Sequence, residues 1–368
     1  MISPVIRGLS HHKKPLAGIA FRAGALLNNN LSVLCATTTT SPSSLSSSLY
    51  SQFPQSRSQS KFLRAVNPLQ QTIRMASNSR NEPFTRDKLF DLKGHVALVT
   101  GGGSGIGLMA TQALVANGAK VYITGRTKEK LDRVAELYSE GKDSIVPIAC
   151  DLTDKAQIAN LAKEISSRED CLCILINNAG ISGATMQTEA GSADEMRQNL
   201  FDNDKSTMED WTDVYRTNVA QIFFATTAFL PLLQKSSQKF PGWSGTVINI
   251  SSISGLVKTA QHHFAYNASK SAASHLTRML ASEVAANKLK IRINSIAPGV
   301  FPSEMTTEGS NEDQKSHIPK EKYESKVPAG RPGKDDDMAQ AVLFFAANQY
   351  LNGQIVAVDG GYTLAAGE

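Results

Sequence analysis

The chain has 368 residues, of which 41% are hydrophobic and 19% are charged, so it is long enough for one large domain or two small ones. Its net charge of +5 is unevenly spread, because residues 1–81 contain nine Lys and Arg residues and no Asp or Glu. The rest of the chain is slightly acidic, so the basic balance does not indicate nucleic-acid binding. No stretch approaches the ~20 apolar residues of a membrane span.

The leader, residues 1–81, is rich in Ser and Thr over 37–48 and places basic residues among apolar ones. This composition is typical of an organelle transit peptide rather than of a secretory signal. It predicts mitochondrial import, with plastid import as the second choice. Two alternatives stay open: a disordered tail, or untranslated sequence ahead of a start at Met75, which would give a cytoplasmic protein.

From Glu82 onward, short apolar runs alternate with stretches of helical periodicity. Apolar strands separated by helices form a parallel sheet that is covered on both faces. The sequence therefore predicts an α/β fold, a single doubly wound Rossmann domain over 82–368 with a seven-stranded parallel sheet. The strands are predicted at 95–100, 120–124, 144–149, 172–177, 245–250, 290–296 and 353–359.

The first predicted strand runs directly into a glycine-rich turn, Thr100 to Gly107 (TGGGSGIG). At a strand-to-helix turn, glycines let the backbone approach a pyrophosphate, and the helix N-terminus supplies N–H donors. The turn does not match the strict G-x-G-x-x-G spacing, the P-loop motif or the G-x-S-x-G nucleophile elbow. Its position after the first strand of a βαβ unit nevertheless predicts a dinucleotide site.

The second predicted strand ends at Thr124-Gly125-Arg126, and this turn contains no acidic residue. An acid there would bind the ribose 2′-hydroxyl of NAD, whereas an arginine suits the 2′-phosphate of NADP. We therefore expect NADP rather than NAD. The alternative is that Arg126 is a solvated loop residue.

The cysteines indicate buried thiols in a reducing compartment. Cys171 and Cys173 alternate along a predicted strand, so both sulfurs should face the same side. No His or Cys pair follows at the spacing of a zinc site, and the side chains of His262 and His263 diverge. No metal site is predicted.

Two stretches interrupt the alternation of strands and helices. Residues 181–210 are polar and irregular, and residues 301–333 are long, charged and proline-bearing. Loops of this length in a compact domain are usually functional or disordered. Both follow predicted strands and should lie at the carboxyl edge of the sheet, where ligands bind in this architecture. We expect them to set substrate specificity.

Tyr266 and Lys270 lie four residues apart in a predicted helix (AYNASK), so they share one helix face. Such a pair alone is common on helix surfaces. A phenol with a pKa near ~10 is a poor base at neutral pH. A cation within about 4–6 Å lowers that pKa by about 1–3 pH units. The pair therefore suits acid/base chemistry, provided that other residues supply a substrate site.

Taken together, the motifs resemble those of the short-chain dehydrogenase/reductase family, in particular its 3-oxoacyl-(acyl carrier protein) reductase-like branch. The matching segments are TGGGSGIG, Asp151-Leu152, NNAG at 177–180, NISSISG, Y-x-x-x-K, Pro298-Gly299 and the ending GQIVAVDGGY. The resemblance implies hydride transfer between NADP(H) and a ketone or secondary alcohol, with a 3-oxoacyl thioester among the candidate substrates. It also implies a homodimer or homotetramer.

Carried over position by position, the resemblance implies a catalytic tetrad of Asn218, Ser252, Tyr266 and Lys270. Ser252 is preferred to Ser251, although its spacing to Tyr266 is one residue longer than is commonest in that branch, which places a small insertion near 261–263. Further residues should bind the cofactor: Gly101, Ser104, Gly105, Ile106, Gly107, Arg126, Asp151, Leu152, Asn178, Ala179, Gly180, Tyr266, Lys270, Pro298, Gly299, Val300 and Ser303.

In this scheme Tyr266 exchanges a proton with the substrate oxygen. Lys270 and the positive nicotinamide ring together lower the pKa of its phenol, and Lys270 also holds the nicotinamide ribose. Ser252 hydrogen-bonds the carbonyl oxygen, and Asn218 anchors a water that links Lys270 to solvent. Two other functions stay open. One is a catalytically silent NADP(H)-binding scaffold or redox sensor. The other is a serine hydrolase built on Ser252 with a neighbouring histidine. The absence of a nucleophile-elbow motif from the sequence argues against it.

Overall fold

The computed structural model describes residues 80–307 and 309–367. The predicted leader, apart from its last two residues, and the alternative start at Met75 lie outside the described residues. Within the described part of the chain, no helix is long and apolar enough to cross a membrane.

Seven parallel strands form one sheet, and its central strands are buried along their whole length because helices cover both faces. The strands are β1 (Val96–Thr100), β2 (Lys120–Gly125), β3 (Ile145–Ala149), β4 (Ile174–Asn177), β5 (Gly245–Ile250), β6 (Ile291–Pro298) and β7 (Ile355–Val358). Their order is β3-β2-β1-β4-β5-β6-β7. Pro147 is tolerated in β3 because this is an edge strand, which needs fewer ladder donors. The predicted doubly wound Rossmann fold is confirmed.

Ten α-helices occur in the described residues. They are α1 (Arg86–Leu89), α2 (Gly105–Ala116), α3 (Lys128–Tyr138), α4 (Lys155–Arg168), α5 (Ala193–Leu200), α6 (Met208–Tyr215), α7 (Gln221–Lys239), α8 (Phe264–Ala286), α9 (Asp335–Ala347) and α10 (Tyr362–Ala366). Helices α2, α3 and α9 pack on one face of the sheet, and α4, α7 and α8 pack on the other.

The two thiols of Cys171 and Cys173 show how the sheet divides the core. Both side chains join the core on the α2 side, with sulfurs 4.0 Å apart, whereas Leu172 joins the core on the α4 side. Burial raises the pKa of Cys173 to about 12, so this thiol is inert. The expectation of buried thiols facing one side is confirmed.

The sequence indicated that residues 181–210 are irregular, but the structure shows helical parts within them. The segment contains α5 and the start of α6, and each begins at a hydroxyl cap: Ser192 accepts from the Glu195 N–H, and Thr207 accepts from the Asp210 N–H. Helix α5 buries none of its residues, so no apolar stripe marked it in the sequence.

Asp154 caps α4, because its side chain accepts the hydrogen bond from the Ala156 N–H at 2.7 Å. Asp151 accepts instead from the backbone N–H and the hydroxyl of Thr153, which hold the pKa of its carboxyl below the ordinary value. This leaves Asp151 at the edge of the sheet rather than in the helix.

His95 gives the fold a predictable dependence on pH. Its ring stacks on Phe240 at a centroid distance of 4.2 Å and contacts Trp243, and burial lowers its pKa. The unfolded chain therefore binds more protons than the folded protein below pH ~6.5. Stability conferred by the neutral ring is complete above this pH and is lost as pH falls.

We expect His95→Phe to reduce the steepness of this loss, because a phenyl ring keeps the stack without titrating. Urea unfolding between pH 5 and pH 8 measures it. His263, whose pKa is also lowered by burial, contributes in the same direction, so part of the slope should remain. An unchanged slope in His95→Phe would assign the pH dependence to other groups.

Candidate active site

A cleft of about 350 Å³ opens at the carboxyl edge of β1, β4, β5 and β6. The fold brings most of the predicted site residues to this single cleft, although they are spread over two hundred positions of the sequence. Its lining includes Gly101, Ser104, Gly105, Ile106, Arg126, Asp151, Leu152, Asn178, Ala179, Gly180, Ser252, Tyr266, Lys270, Pro298, Gly299 and Ser303.

Three predicted residues do not line the cleft. Val300 faces a separate small cavity that it shares with Val327 and Arg331, and Phe301 takes its place in the cleft wall. Gly107 lies behind the turn, and Asn218 is fully buried below the floor. The predicted contact of Val300 with the cofactor stays a prediction, and Gly107 and Asn218 meet the cleft through the residues that they contact.

The glycine turn presents an uncapped helix end to the cleft. Gly101 and Gly105 have φ of 65° and 52°, which side-chain-bearing residues rarely adopt. No side chain caps the first turn of α2, so its N–H groups remain available to phosphate oxygens. The side-chain amide of Asn178 donates to the carbonyls of Thr100 and Gly101 and holds the turn in this shape.

Gly107 is where this turn tolerates no side chain. A Cβ there would lie 2.1 Å from the Gly101 carbonyl oxygen and 2.6 Å from Asn178 Nδ2. We expect Gly107→Ala to lower the free energy of unfolding by about 3 kcal/mol and to weaken dinucleotide binding at least tenfold. Urea unfolding and titration of NADPH fluorescence measure the two effects.

Gly141 provides the matched control, because a Cβ there meets no atom within 4 Å. Gly141→Ala should change stability by no more than about 0.5 kcal/mol and leave binding unaltered. Equal effects of the two substitutions would contradict the close packing at Gly107.

Charged residues surround the cleft where β2 ends. Arg126 lies near Asp151, and Lys130, one turn into α3, makes an ion pair of 2.6 Å with Glu304 in the loop after β6. Burial acts to raise the pKa of Glu304, but hydrogen bonds from Lys130 and Ser310 outweigh it, so the carboxyl is ionised. Lys130 and Glu304 were missed in the sequence, since they are 174 positions apart.

Tyr266 and Lys270 lie on one face of α8, as the spacing predicted. Lys270 Nζ is 5.6 Å from the centre of the Tyr266 ring and donates to the Ile250 carbonyl at 2.9 Å. The lysine is only 4% exposed, and burial lowers its pKa to about 8. The ammonium is thus held beside the phenol at a site where keeping its charge is unfavourable.

Burial raises the pKa of Tyr266, and the predicted lowering by Lys270 together with the nicotinamide ring stays a prediction. Burial opposes the phenolate, and the hydrogen bond with Ser252 only partly offsets this effect. The side chains of this site therefore favour a protonated phenol, which can donate to a substrate oxygen. An additional positive charge in the cleft is needed before Tyr266 can act as a base near neutral pH.

The structure separates the two candidate serines. Ser251 donates to the Ile296 carbonyl and accepts from the Ser295 hydroxyl, so it belongs to the sheet. Ser252 accepts from the Ser254 N–H, lines the cleft, and acts to lower the pKa of the Tyr266 phenol. Ser252 is therefore the serine directed at the chemistry.

Asn218 sits in a π-helical turn, Arg216–Ala220, which displaces the helix locally. Its side chain donates to the Ile181 carbonyl and the Ser269 hydroxyl and accepts from the Ile181 N–H. Both amide donors are used, so the expected water would have to be held by other groups of this turn. Ser269 donates to the Tyr266 carbonyl, which links Asn218 to the catalytic turn.

These features fit a dinucleotide. The uncapped end of α2 suits the pyrophosphate, and Arg126 lies where the adenosine ribose would end. A Cβ at Gly180 would lie 3.1 Å from Asn218 Oδ1 and 3.4 Å from Lys270 Nζ, so a glycine keeps the floor open there.

Comparison with known proteins agrees with this geometry. The family model described as short chain dehydrogenase matches residues 95–314. The short-chain dehydrogenase/reductase PhomF of Diaporthe leptostromiformis is 39% identical over 279 residues, which cover 74% of this chain and 92% of PhomF. The rhamnolipids biosynthesis 3-oxoacyl-(acyl-carrier-protein) reductase of Pseudomonas aeruginosa is 35% identical over 280 residues, 75% of this chain and 98% of that enzyme.

A solved structure, the Pseudomonas aeruginosa RhlG/NADP active-site complex, superposes with a TM-score of 0.59 at 31% identity and covers 74% of this chain and 98% of that chain. The match to the family model includes the glycine turn and the Tyr266–Lys270 pair. The chain belongs to the short-chain dehydrogenase/reductase family.

Proposed function

We propose that this protein is an NADP(H)-dependent oxidoreductase that interconverts a ketone and a secondary alcohol, with Tyr266 as the acid and base. The observation that carries the proposal is the placement of Tyr266, Ser252 and Lys270 along one wall of a cleft whose opposite end is an uncapped helix N-terminus. A bound nicotinamide cofactor would supply or accept the hydride.

Each side chain has a role that follows from its contacts. Tyr266, whose raised pKa keeps it protonated, donates its proton to the carbonyl oxygen during reduction. Ser252, which lines the same cleft as Tyr266, orients that oxygen and stabilises its developing charge. Lys270 has a pKa of about 8, so it is well placed to pass a proton toward Tyr266 near neutral pH.

The preference for NADP is supported by the absence of an acid at the end of β2 and by Arg126 and Lys130 in the cleft lining. The NADP complex of the P. aeruginosa structure points the same way. We expect Arg126→Ala to weaken NADPH binding about tenfold, because a charge-assisted hydrogen bond contributes about 1.5–3 kcal/mol. Binding of NADH should be nearly unchanged; an equal loss for both would refute the assignment.

A 3-oxoacyl thioester is the first substrate to test, since a relative named as a 3-oxoacyl-(acyl-carrier-protein) reductase matches nearly its whole length. The decisive experiment follows NADPH and NADH oxidation by the full chain against a panel of ketones and acyl thioesters. Turnover of a ketone but of no thioester would support the proposed reductase reaction and would reject acyl thioesters as its substrates.

We further propose a homodimer or homotetramer. Three aromatic side chains of α6 and α7 are 36–43% exposed, namely Trp211, Tyr215 and Phe223. Tyr215 also lines a shallow apolar cavity of about 460 Å³ together with Phe224. Sedimentation equilibrium tests this, with Phe223→Lys expected to dissociate the assembly.

A further inference from the structure

The first part of the long loop after β4, residues 181–189, is tied to the catalytic residues at its root. Ile181 makes two backbone hydrogen bonds, both of 2.9 Å, with the side chain of Asn218. Ala184 donates to Asp210 in α6 at 3.0 Å. The segment therefore leaves the cleft in a defined direction beside the tetrad.

The far end of this segment is bound by His262. Its carbonyl accepts from the Met186 N–H at 2.8 Å, and its Nδ1 lies 3.1 Å from the Met186 carbonyl and 3.2 Å from the Thr188 hydroxyl. Its Nε2 is 3.6 Å from a carboxylate oxygen of Glu189. One residue, just before the helix that carries Tyr266, thus contacts the backbone of Met186 and the side chains of Thr188 and Glu189.

His262 and its neighbour Gln261 adopt backbone conformations that are strained for their residue types. Their φ angles are 65° and 51°, in the left-handed region that favours glycine. Such conformations persist only where surrounding contacts impose them. The two strained residues coincide with the position of the predicted insertion at 261–263.

Gln261, next to His262, contacts the turn that follows Ser252 and the C-terminal helix α10. Its side chain accepts from the Ser254 hydroxyl at 2.8 Å and donates to the Tyr362 hydroxyl at 2.8 Å. Ser254 follows Ser252 by two residues, and its N–H donates to the Ser252 hydroxyl. Residues 261–262 therefore connect the serine turn, the C-terminal helix α10 and the long loop.

We propose that Gln261 and His262 are positioning residues that fix residues 181–189 as the substrate-side wall of the active site. Ile181, at the start of this segment, lines the cleft, and Met186 lines a second, apolar cavity of about 210 Å³ together with Trp211 and Phe264. This role rests on the proposed reductase function, but the ordering of the loop is a property of the chain itself and can be measured without a substrate.

The experiment is hydrogen–deuterium exchange on the full chain, read in peptides covering 183–206. His262→Ala removes the ring contacts, and His262→Gly removes them while relieving the backbone strain. In both variants we expect amide exchange at 184–189 to increase about tenfold, which corresponds to losing about one net hydrogen bond. His262→Asn, which tolerates φ > 0 and keeps a polar group, should restore part of the protection.

Lys288→Gly is the matched control, because Lys288 also has a left-handed φ, of 59°, but lies in the exposed turn after α8. It should leave exchange at 184–189 unchanged. The NADPH dissociation constant should change less than twofold in the His262 variants, while KM for any carbonyl substrate rises.

Two results would overturn the proposal. One is unchanged exchange at 184–189 in both His262→Ala and His262→Gly. The other is an increase spread evenly over the sheet, which would indicate general destabilisation. Absence of turnover with every carbonyl compound would reject the proposed reductase but leave the exchange result interpretable, so the two failures are distinguishable.

Discussion

Tyr266→Phe should lower the rate of NADPH-dependent carbonyl reduction by about 10²–10⁴-fold, the usual contribution of a general acid or base. The substitution removes only the phenol oxygen, which is the proposed proton donor to the substrate. The ring remains to pack between His263 and Lys270. The fold and the NADPH dissociation constant should therefore change little.

Steady-state rates over a carbonyl panel, with NADPH binding measured separately, test this expectation. Tyr350→Phe is the control, since the Tyr350 side chain is fully exposed and far from the cleft. If Tyr266→Phe oxidised NADPH at the wild-type rate, the catalytic assignment would be wrong. If neither protein turned over any carbonyl compound although both bound NADPH, the cofactor-binding scaffold would be favoured.

Lys270→Met should abolish most of the activity and at the same time stabilise the protein at neutral pH. Burial lowers the pKa of this lysine from 10.5 to about 8, and among the described residues no carboxylate forms a salt bridge with it. At about 1.4 kcal/mol per pH unit, holding its charge costs the fold on the order of 3 kcal/mol. Methionine has a similar shape without the charge, but loses the hydrogen bond to Ile250. We expect a net gain of about 1–3 kcal/mol.

The pH dependence of this gain has a defined sign. Because the folded-state pKa is below that of the unfolded chain, the unfolded chain binds more protons between pH 8 and 10.5, and wild-type stability gains with rising pH there. The advantage of Lys270→Met should be full below pH 8 and shrink above it. Urea unfolding at pH 7 and pH 9.5 measures this, with the exposed Lys258→Met as control. A destabilised Lys270→Met at pH 7 would contradict the burial cost.

Local sequence patterns were sufficient to predict the strands and the motifs that contain the candidate catalytic residues. Continuous apolar runs at the seven strand positions predicted the sheet to within a few residues, because burial on both faces leaves a signal that depends only on neighbouring residues. The four-residue spacing of Tyr266 and Lys270 likewise determined that they share a face of α8. Helix α5 was missed because its exposed surface carries no periodic apolar stripe.

Only the tertiary structure determined the contacts between residues far apart in the chain and the pKa shifts that follow from burial. The Lys130–Glu304 ion pair and the attachment of residues 186–189 to His262 join segments whose separation in the chain carries no local signal. The exclusion of Val300 from the cleft follows from how the loop after β6 turns. The raised pKa of Tyr266 depends on burial, which only packing determines. The amino-acid sequence by itself specified the sheet and the reacting side chains, because these are short-range patterns; the shape and electrostatics of their surroundings arise only when long-range contacts remove water.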